Sequence, residues 1–315
     1  MSIEASVLKI QAEIGKVISG QHDVIEQVVA AVLANGHVLL EGVPGLGKTL
    51  LVRTLGFTLG LKFGRIQFTP DMMPSDVSGT MIFDSNKNEF EFRPGPIFAG
   101  LLLADEINRT PPKTQSALLE AMEERKLTVD GVSHPLPAPF LVFATQNPIE
   151  YEGTYPLPEA QQDRFLVKVL LKYPSQTDEI EVLKSHHSGF NPQRLEDSHV
   201  EAVLRPGELA EIQKEVINTT VEDKVFDYIY QIIKLTRDNR DIMVGGSPRA
   251  GIALLNISKA MAHIRGRNFV TPDDVKDMAP AVLRHRIQLR PESEIEGLTT
   301  DDVVKRVLDS VSGPR

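Results

Sequence analysis

The sequence predicts an α/β fold in which a parallel sheet with helices on both faces is followed by a small all-helical domain. Short, wholly apolar runs alternate with helical patterns up to about residue 173, and only helical patterns follow from about residue 206. Wholly apolar runs are typical of strands that are covered on both faces of a parallel sheet. With 315 residues, 41% of them hydrophobic, the chain can bury a core large enough for two such units.

Composition excludes several classes of protein. The chain has no cysteine, so it cannot form disulfides or thiolate metal sites. Its 34 basic and 43 acidic residues give a net charge of -9, which argues against broad binding of nucleic acid but leaves a local basic channel open. No apolar run approaches the roughly 20 residues that cross a bilayer, and the start lacks a signal-peptide pattern. We therefore expect a cytoplasmic protein without a membrane span.

Two helical patterns precede the first strand. Val7, Ile10 and Ile14 lie on one helical face, Gly20 interrupts the pattern, and a second apolar face covers 24–33. The period then changes to a short apolar run that predicts the first strand and ends in a glycine-rich turn. The runs that predict strands are 37–40, 64–68, 101–104, 140–145 and 165–171.

Two departures interrupt the alternation of strands and helices. The segment of about 70–100 is rich in Pro, Gly, Asp and Asn, which indicates an insertion rather than a plain crossover. Residues of about 128–139 predict a hairpin with Asp130-Gly131 as its turn. We assign 1–173 to the α/β core, 174–205 to a linker and 206–315 to the helical domain. The helical patterns of that domain are 209–216, 225–236, 250–264, 275–283 and 303–311.

The most specific motif is Gly42-Val43-Pro44-Gly45-Leu46-Gly47-Lys48-Thr49, which matches G-x-x-x-x-G-K-[ST] at every fixed position. Its glycines allow backbone N–H groups to approach phosphate oxygens. Lys48 would lie against the β- and γ-phosphates, and the Thr49 hydroxyl would bind Mg²⁺. A strand precedes the loop and a helix follows, which is the required context, although a purely connecting glycine turn is the alternative. We expect the loop and Leu50 to bind ATP or ADP.

Asp105 and Glu106 end the apolar run at 101–104. A strand of a parallel sheet would carry both carboxylates to the edge where such folds bind ligands, beside the phosphate loop. Asp105 is the expected partner of Mg²⁺, directly or through its hydration shell. Glu106 would lie on the other side of the strand, where it could orient or deprotonate the attacking water. The alternative is a solvated acidic pair that caps the strand.

Asn147 follows the run at 140–145 and is the candidate for holding that water while remaining uncharged. Its alternative role is to cap the turn before Pro148.

Arg164 and Arg249 are the candidate cations for charge on the transferred phosphoryl group. Arg164 comes directly before the last strand, so it could reach its own nucleotide or project to a neighbouring subunit. Its alternative is a surface ion pair with Asp163 or Glu159. Arg249 lies in the first turn of a helix, unfavourably against the helix dipole, which suggests a phosphate partner. An exposed arginine at a helix start is the alternative there.

Together these residues resemble the MoxR family of AAA+ ATPases. The resemblance is carried by 104–123 (ADEINRTPPKTQSALLEAME), 144–152 (ATQNPIEYE) and 157–165 (LPEAQQDRF), and it extends over nearly the whole chain. It implies a P-loop NTPase core with a helical lid domain, in which 70–100 is the insert in the second helix and 128–139 the hairpin of this clade.

The resemblance also implies individual roles. Asn147 would be the first sensor, Arg164 an arginine finger that acts in trans, and Arg249 the second sensor. Ile18, Gly20 and Gln21 would lie near the adenine. A hexameric ring would couple Mg²⁺-dependent ATP hydrolysis to chaperone-like remodelling of protein complexes or to cofactor insertion, often with a partner that carries a von Willebrand factor A domain. A nucleic-acid motor is the alternative, which the acidic net charge makes the weaker one.

Overall fold

The computed structural model describes residues 2–148, 153–192 and 194–314. The first 173 residues contain both helices and strands. In chain order they are α1 (Ile3–Gly15), α2 (His22–Leu33), β1 (Val38–Glu41), α3 (Lys48–Thr58), β2 (Phe63–Gln67), α4 (Pro74–Ser78), β3 (Gly79–Asp84), β4 (Glu89–Pro94), β5 (Leu101–Asp105), α5 (Pro112–Glu124), β6 (Lys126–Val129), β7 (Val132–Pro135), β8 (Leu141–Gln146), α6 (Glu159–Gln162) and β9 (Val167–Leu170).

A five-stranded parallel sheet forms the centre of this part, in the order β2-β5-β8-β1-β9. Every residue of β5 is buried, and so are the first five residues of β8, because helices cover both faces. This arrangement confirms the predicted fold class. All five strands run in the same direction, so their carboxyl ends meet at one edge of the sheet, which we call the phosphate-loop edge. Their amino ends form the opposite edge.

Two antiparallel hairpins stand outside the sheet. The predicted insertion contains α4 and the hairpin β3–β4, whose partners run from Gly79 opposite Pro94 to Asp84 opposite Glu89. The second hairpin, β6–β7, turns at Asp130-Gly131. Both turn residues have positive φ, 47° and 79°, the conformation that an Asp-Gly turn favours.

The second part of the chain is mainly helical. Its elements are α7 (Gln176–His187), α8 (Glu208–Ile217), α9 (Asp223–Asp238), β10 (Ile242–Val244), α10 (Pro248–Ile264), α11 (Pro272–Leu283), β11 (Gln288–Leu289), α12 (Pro291–Ile295) and α13 (Thr300–Ser310). Strands β10 and β11 add a short antiparallel ribbon to the predicted helices. In the ranges that the structure describes, no helix combines the length and the apolar character that crossing a membrane requires.

Helix α7 lies inside the segment that the sequence assigns to a linker. None of its residues is buried, and Ile180 and Leu183 are exposed. Without a buried face it has no amphipathic pattern, which is the signal by which sequence reasoning finds helices. Ser175 caps its start by accepting the N–H of Asp178 at 3.3 Å, the local feature that could have indicated it.

The helical domain packs on the edge of the sheet formed by β9. Arg286 binds Asp163 through Nε at 2.7 Å and donates to the carbonyl of Leu166, while His285 Nε2 lies 3.0 Å from the carbonyl of Phe165. Gln213 donates to the carbonyl of Val32 at 2.8 Å. Of two hydrophobic clusters found among the described residues, one runs through both parts of the chain. The helical domain therefore contacts the sheet through both polar and apolar side chains.

Candidate nucleotide-binding site

The loop 42–49 joins β1 to α3 at the phosphate-loop edge. Gly45 and Gly47 have φ values of 89° and 77°, a region that residues with a Cβ rarely adopt. Gly47 precedes the first residue of α3, whose first N–H groups have no partner within the helix. The Lys48 ammonium donates to the carbonyls of Gly42 and Val43, so it lies over the start of the loop. The strand, the loop and the helix start together make a cradle suited to phosphate oxygens.

Ile18, which the resemblance places near the adenine together with Gly20 and Gln21, lies beside this loop. A methyl group added at Gly47 would lie 3.8 Å from Ile18 Cδ1. Gln21 donates to the carbonyl of Lys172 at 3.1 Å, just beyond β9. Gly20 has a φ of 71° and packs against the carboxylate of Asp178 on α7, which leaves no space for a side chain. These contacts put Ile18 beside the loop, and Gly20 and Gln21 beside the chain that leaves the sheet.

Asp105 connects three elements at the same edge. Its Oδ2 atom lies 3.4 Å from the Thr49 hydroxyl of α3, and its Oδ1 atom accepts the Thr145 hydroxyl of β8 at 2.7 Å. Its side chain is 11% exposed. Thr49 and Asp105 thus present hard oxygen atoms to one place beside the loop, the ligand type that Mg²⁺ prefers. The residues present fit a magnesium–nucleotide complex, which Thr49 and Asp105 would hold.

Glu106 begins a turn rather than extending β5. Its φ of 57° is in the left-handed region, which is uncommon for a residue with a side chain and is often found at functional sites. Its N–H donates to the Thr145 hydroxyl at 2.8 Å, and its Oε2 atom accepts Gln67 Nε2 at 2.7 Å and Arg109 Nε at 3.2 Å. The two neighbouring carboxylates therefore have different partners, and their side chains lie in different surroundings.

Asn147 directly follows β8 and is 7% exposed. The preceding residue, Gln146, accepts the N–H of Gly42 at 3.4 Å, which ties the end of β8 to the start of the phosphate loop. Asn147 therefore lies at the edge that carries the loop, Asp105 and Glu106. The rest of the motif after it, 149–152, lies outside the described residues.

Sequence reasoning missed two polar residues of β2. Arg65 donates to Asp105 Oδ2 from Nη2 at 2.8 Å and from Nε at 3.2 Å, and it also binds Gln67 Oε1 at 2.6 Å. Gln67 in turn holds Glu106. Since successive strand residues point to opposite sides, Arg65 and Gln67 share one side of β2. Two polar residues at alternate positions of a strand that neighbours β5 are the signal by which they could have been identified.

Arg164 and Arg249 lie at the opposite edge of the sheet. Arg164 comes just before Leu166, whose N–H binds the carbonyl of His37, the residue before β1. Arg164 pairs with Glu123 of α5 at 2.6 Å and donates to the carbonyl of Leu119. The strands between the two edges are about 13 Å long at roughly 3.3 Å per residue. The structure therefore does not bring Arg164 to the phosphate loop of its own chain.

Arg249, in the first turn of α10, lies beside Arg164 rather than beside the loop. Its guanidinium is 3.7 Å from Glu123 Oε1 and 3.9 Å from Asp163 Oδ2. Its side chain is 63% exposed, so it can reach a partner outside the chain. Both arginines line an open cavity of about 370 Å³.

Comparison with known proteins decides the family. The family model described as "ATPase family associated with various cellular activities (AAA)" matches residues 37–167, and the AAA lid domain matches 234–307. Chaperone MoxR1 of Mycobacterium tuberculosis is 42% identical over 312 residues, which cover 96% of this chain and 81% of that protein. The chain belongs to the MoxR family of AAA+ ATPases.

Two further relatives extend over nearly the whole of this MoxR-family chain. The uncharacterized protein YeaC of Bacillus subtilis is 48% identical, with 96% of this chain and 92% of that protein covered. A crystal structure from Cytophaga hutchinsonii, of a protein named provisionally as an ATPase, has a TM-score of 0.90 and 41% identity, and covers 99% of this chain and 96% of that one. The AAA match begins at His37 and ends in β9, so it spans the sheet and the phosphate-loop edge.

Proposed function

We propose that this MoxR-family protein hydrolyses ATP with Mg²⁺, and that a second copy of the chain completes each active site. The observation that carries the proposal is the separation of the candidate residues into two groups. The loop 42–49, Asp105, Glu106 and Asn147 lie at one edge of the sheet, and Arg164 and Arg249 lie at the other. A site that needs both groups requires two chains.

Each residue at the phosphate-loop edge has a role that its chemistry supports. The loop N–H groups and Lys48 would bind the phosphates, and Thr49 and Asp105 would hold the metal, which neutralises phosphate charge when bound. Glu106 would orient the attacking water and accept its proton. Asn147, an uncharged amide, would hold the same water without adding charge. Gln67 and Arg109 both bind Oε2 of Glu106, so they fix its carboxylate, and the second oxygen, Oε1, would accept the proton.

Arg164 and Arg249 would act on the nucleotide of the neighbouring copy. Arginine fingers supplied from another chain raise turnover by roughly 10³- to 10⁵-fold, because they stabilise charge on the transferred phosphoryl group. Contacts of this kind join one edge of a chain to the opposite edge of the next, and such head-to-tail assemblies form a ring when the rotation from copy to copy closes. We therefore propose a ring, with six copies as implied by the family resemblance.

The named relatives support a role on other proteins. One of them carries the name Chaperone MoxR1. We propose that ATP turnover in the ring drives chaperone-like remodelling of protein complexes or cofactor insertion, with a partner that contains a von Willebrand factor A domain. The net charge of -9 gives a nucleic-acid substrate no comparable support.

The nucleotide site is tested by Lys48→Ala. Loss of the ammonium should abolish measurable ATP binding in a calorimetric titration, because the charge opposite the β- and γ-phosphates is gone. Lys305→Ala, which removes an exposed lysine of α13, is the matched control and should bind ATP like the wild type. Unchanged ATP affinity in Lys48→Ala would show that the loop 42–49 is not the phosphate site.

A further inference from the structure

Asp105 Oδ2 is shared between two kinds of partner. Thr49, the other candidate metal ligand, lies 3.4 Å from this oxygen, and Arg65 binds the same oxygen through two N–H groups at 2.8 Å and 3.2 Å. The other carboxylate oxygen, Oδ1, is held by Thr145. The oxygen that faces Thr49 is therefore the one that the guanidinium covers.

A guanidinium and a divalent cation cannot both occupy this oxygen at low cost. Both are positive, and Asp105 is nearly enclosed, with 11% of its side chain exposed, so solvent screens their repulsion poorly. The repulsion persists even if Mg²⁺ contacts Asp105 through one of its waters. A metal that binds beside Thr49 would therefore have to displace Arg65.

The Arg65 side chain can be displaced from Asp105 without losing solvent or all of its partners. Its side chain is 47% exposed, and its Nη2 group is bound to Gln67 Oε1 at 2.6 Å, farther along the same strand. If Arg65 rotates away from Asp105, its guanidinium lies in water or on Gln67. Displacement therefore does not leave an unpaired charge in the protein interior. The arrangement suits a guanidinium that neutralises Asp105 until a metal ion binds and displaces it.

We propose that Arg65 is a positioning residue that neutralises Asp105 in the metal-free protein and competes with Mg²⁺ for it, and thereby sets the Mg²⁺ concentration at which the chain binds nucleotide. The inference rests on the proposed function, because it concerns the same site. It assigns a role in metal binding to a residue of β2. Removal of a metal ligand weakens the binding of Mg²⁺, whereas removal of Arg65 should strengthen it.

The test measures the affinity of the full chain for fluorescent ADP at increasing free Mg²⁺ and in EDTA. In Arg65→Met the half-saturating Mg²⁺ concentration should fall by about threefold to tenfold, the size expected for losing a partly exposed charge-assisted contact. The affinity for ADP in EDTA should stay within about twofold of the wild type, because Arg65 binds Asp105 and not the phosphates. Arg65→Lys keeps a cation and should restore a Mg²⁺ requirement close to that of the wild type.

Arg205→Met, which removes an exposed arginine near the end of α3 farthest from the loop, is the matched control and should leave the Mg²⁺ requirement unchanged. An unchanged or increased requirement in Arg65→Met would overturn the proposal. A loss of ADP affinity in EDTA would also overturn it, since Arg65 would then be a phosphate contact. If the wild type itself failed to bind ADP at any Mg²⁺ concentration, the proposed function would fail instead.

Discussion

Thr145 links the two acidic residues of the site, through the carboxylate of Asp105 and the backbone of Glu106. Its hydroxyl donates to Asp105 Oδ1 at 2.7 Å and accepts the N–H of Glu106 at 2.8 Å. One oxygen atom at the end of β8 thus fixes both a metal carboxylate and the left-handed turn that presents Glu106. Sequence reasoning predicted the strand but gave Thr145 no role of its own, because nothing in the sequence shows which groups its hydroxyl contacts.

His37, directly before β1, is a second residue whose environment has a measurable consequence. Its Nδ1 atom accepts the N–H of Val142 at 3.0 Å, so Nδ1 must be unprotonated, and Nε2 donates to the carbonyl of Met122 at 3.3 Å. Burial, and secondarily the charge of Arg125, lower the pKa of His37 to about 3. The folded protein therefore needs this imidazole neutral.

The free energy of unfolding should fall as pH is lowered from about 6.5 towards 3. In this window the unfolded chain takes up a proton at His37 that the folded chain does not, at a cost of up to about 1.4 kcal/mol per pH unit. His37→Gln can make the same two hydrogen bonds without titrating. Urea unfolding between pH 7.5 and 4.5 should therefore show a weaker pH dependence in His37→Gln than in the wild type.

The matched control for this prediction is His22→Gln, which changes an exposed histidine at the start of α2. It should keep the pH dependence of the wild type. If His37→Gln kept it as well, the neutral state of His37 would not be what the fold requires.

At the scale of the element, the sequence was informative wherever burial leaves a pattern. The short runs predicted all five sheet strands, although the run for β2 contains Arg65 and Gln67, and Asp130-Gly131 predicted the hairpin β6–β7. Helix α7 was missed because no residue of it is buried. Arg65 and Gln67 were missed because a strand residue reveals its partner only when the order of strands is known, and β2 pairs with β5 across an insertion.

The start of α11 shows how one capping residue can organise an element. Asp274 is fully buried and accepts hydrogen bonds from Arg267 and from the N–H and hydroxyl of Thr271. Burial by itself would raise the pKa of Asp274, but the hydrogen bonds from Arg267 and Thr271 outweigh it and lower that pKa. The capping box and two arginines thus meet at one carboxylate.

We expect Asp274→Ala to lower the free energy of unfolding by about 2–4 kcal/mol, because it leaves Arg265 and Arg267 without their shared partner. The arginines are partly exposed, which keeps the loss below that of a fully buried pair. Asp302→Ala is the matched control, since Asp302 holds the equivalent position in the capping box of α13 but is exposed. The measurement is urea unfolding at pH 7.5. If Asp274→Ala lowered the free energy of unfolding no more than Asp302→Ala does, the ion pairs with Arg265 and Arg267 would contribute nothing to stability.

At the scale of the whole molecule, the decisive feature is the distance between the two edges of the sheet. The sequence predicted the residues of the phosphate-loop edge, because the loop motif and the ends of adjacent strands determine where they lie. Reasoning from the residues alone left open which nucleotide Arg164 would reach, and only the family resemblance implied a finger that acts in trans. The answer depends on how α5 and α10 pack, since Arg164 and Arg249 share Glu123 as a partner. Contacts between elements so far apart in sequence leave no local pattern.

The most direct test of a shared active site mixes two inactive variants. Arg164→Ala keeps its phosphate-loop edge but lacks the finger, and Glu106→Gln keeps the finger but lacks the group that activates water. Each variant alone should bind ATP and turn it over at a small fraction of the wild-type rate. In a mixed ring, an Arg164→Ala chain next to a Glu106→Gln chain forms a complete site.

The measurement is steady-state phosphate release from an equimolar mixture, with Lys305→Ala mixed into the wild type as the control. We expect the mixture to recover turnover at roughly a quarter of the sites, as random head-to-tail neighbours would give. Turnover that stays at the level of the separate variants, in a mixture shown to assemble, would contradict the account. Arg164 would then serve its own chain, and the two edges of the sheet would not belong to one shared site.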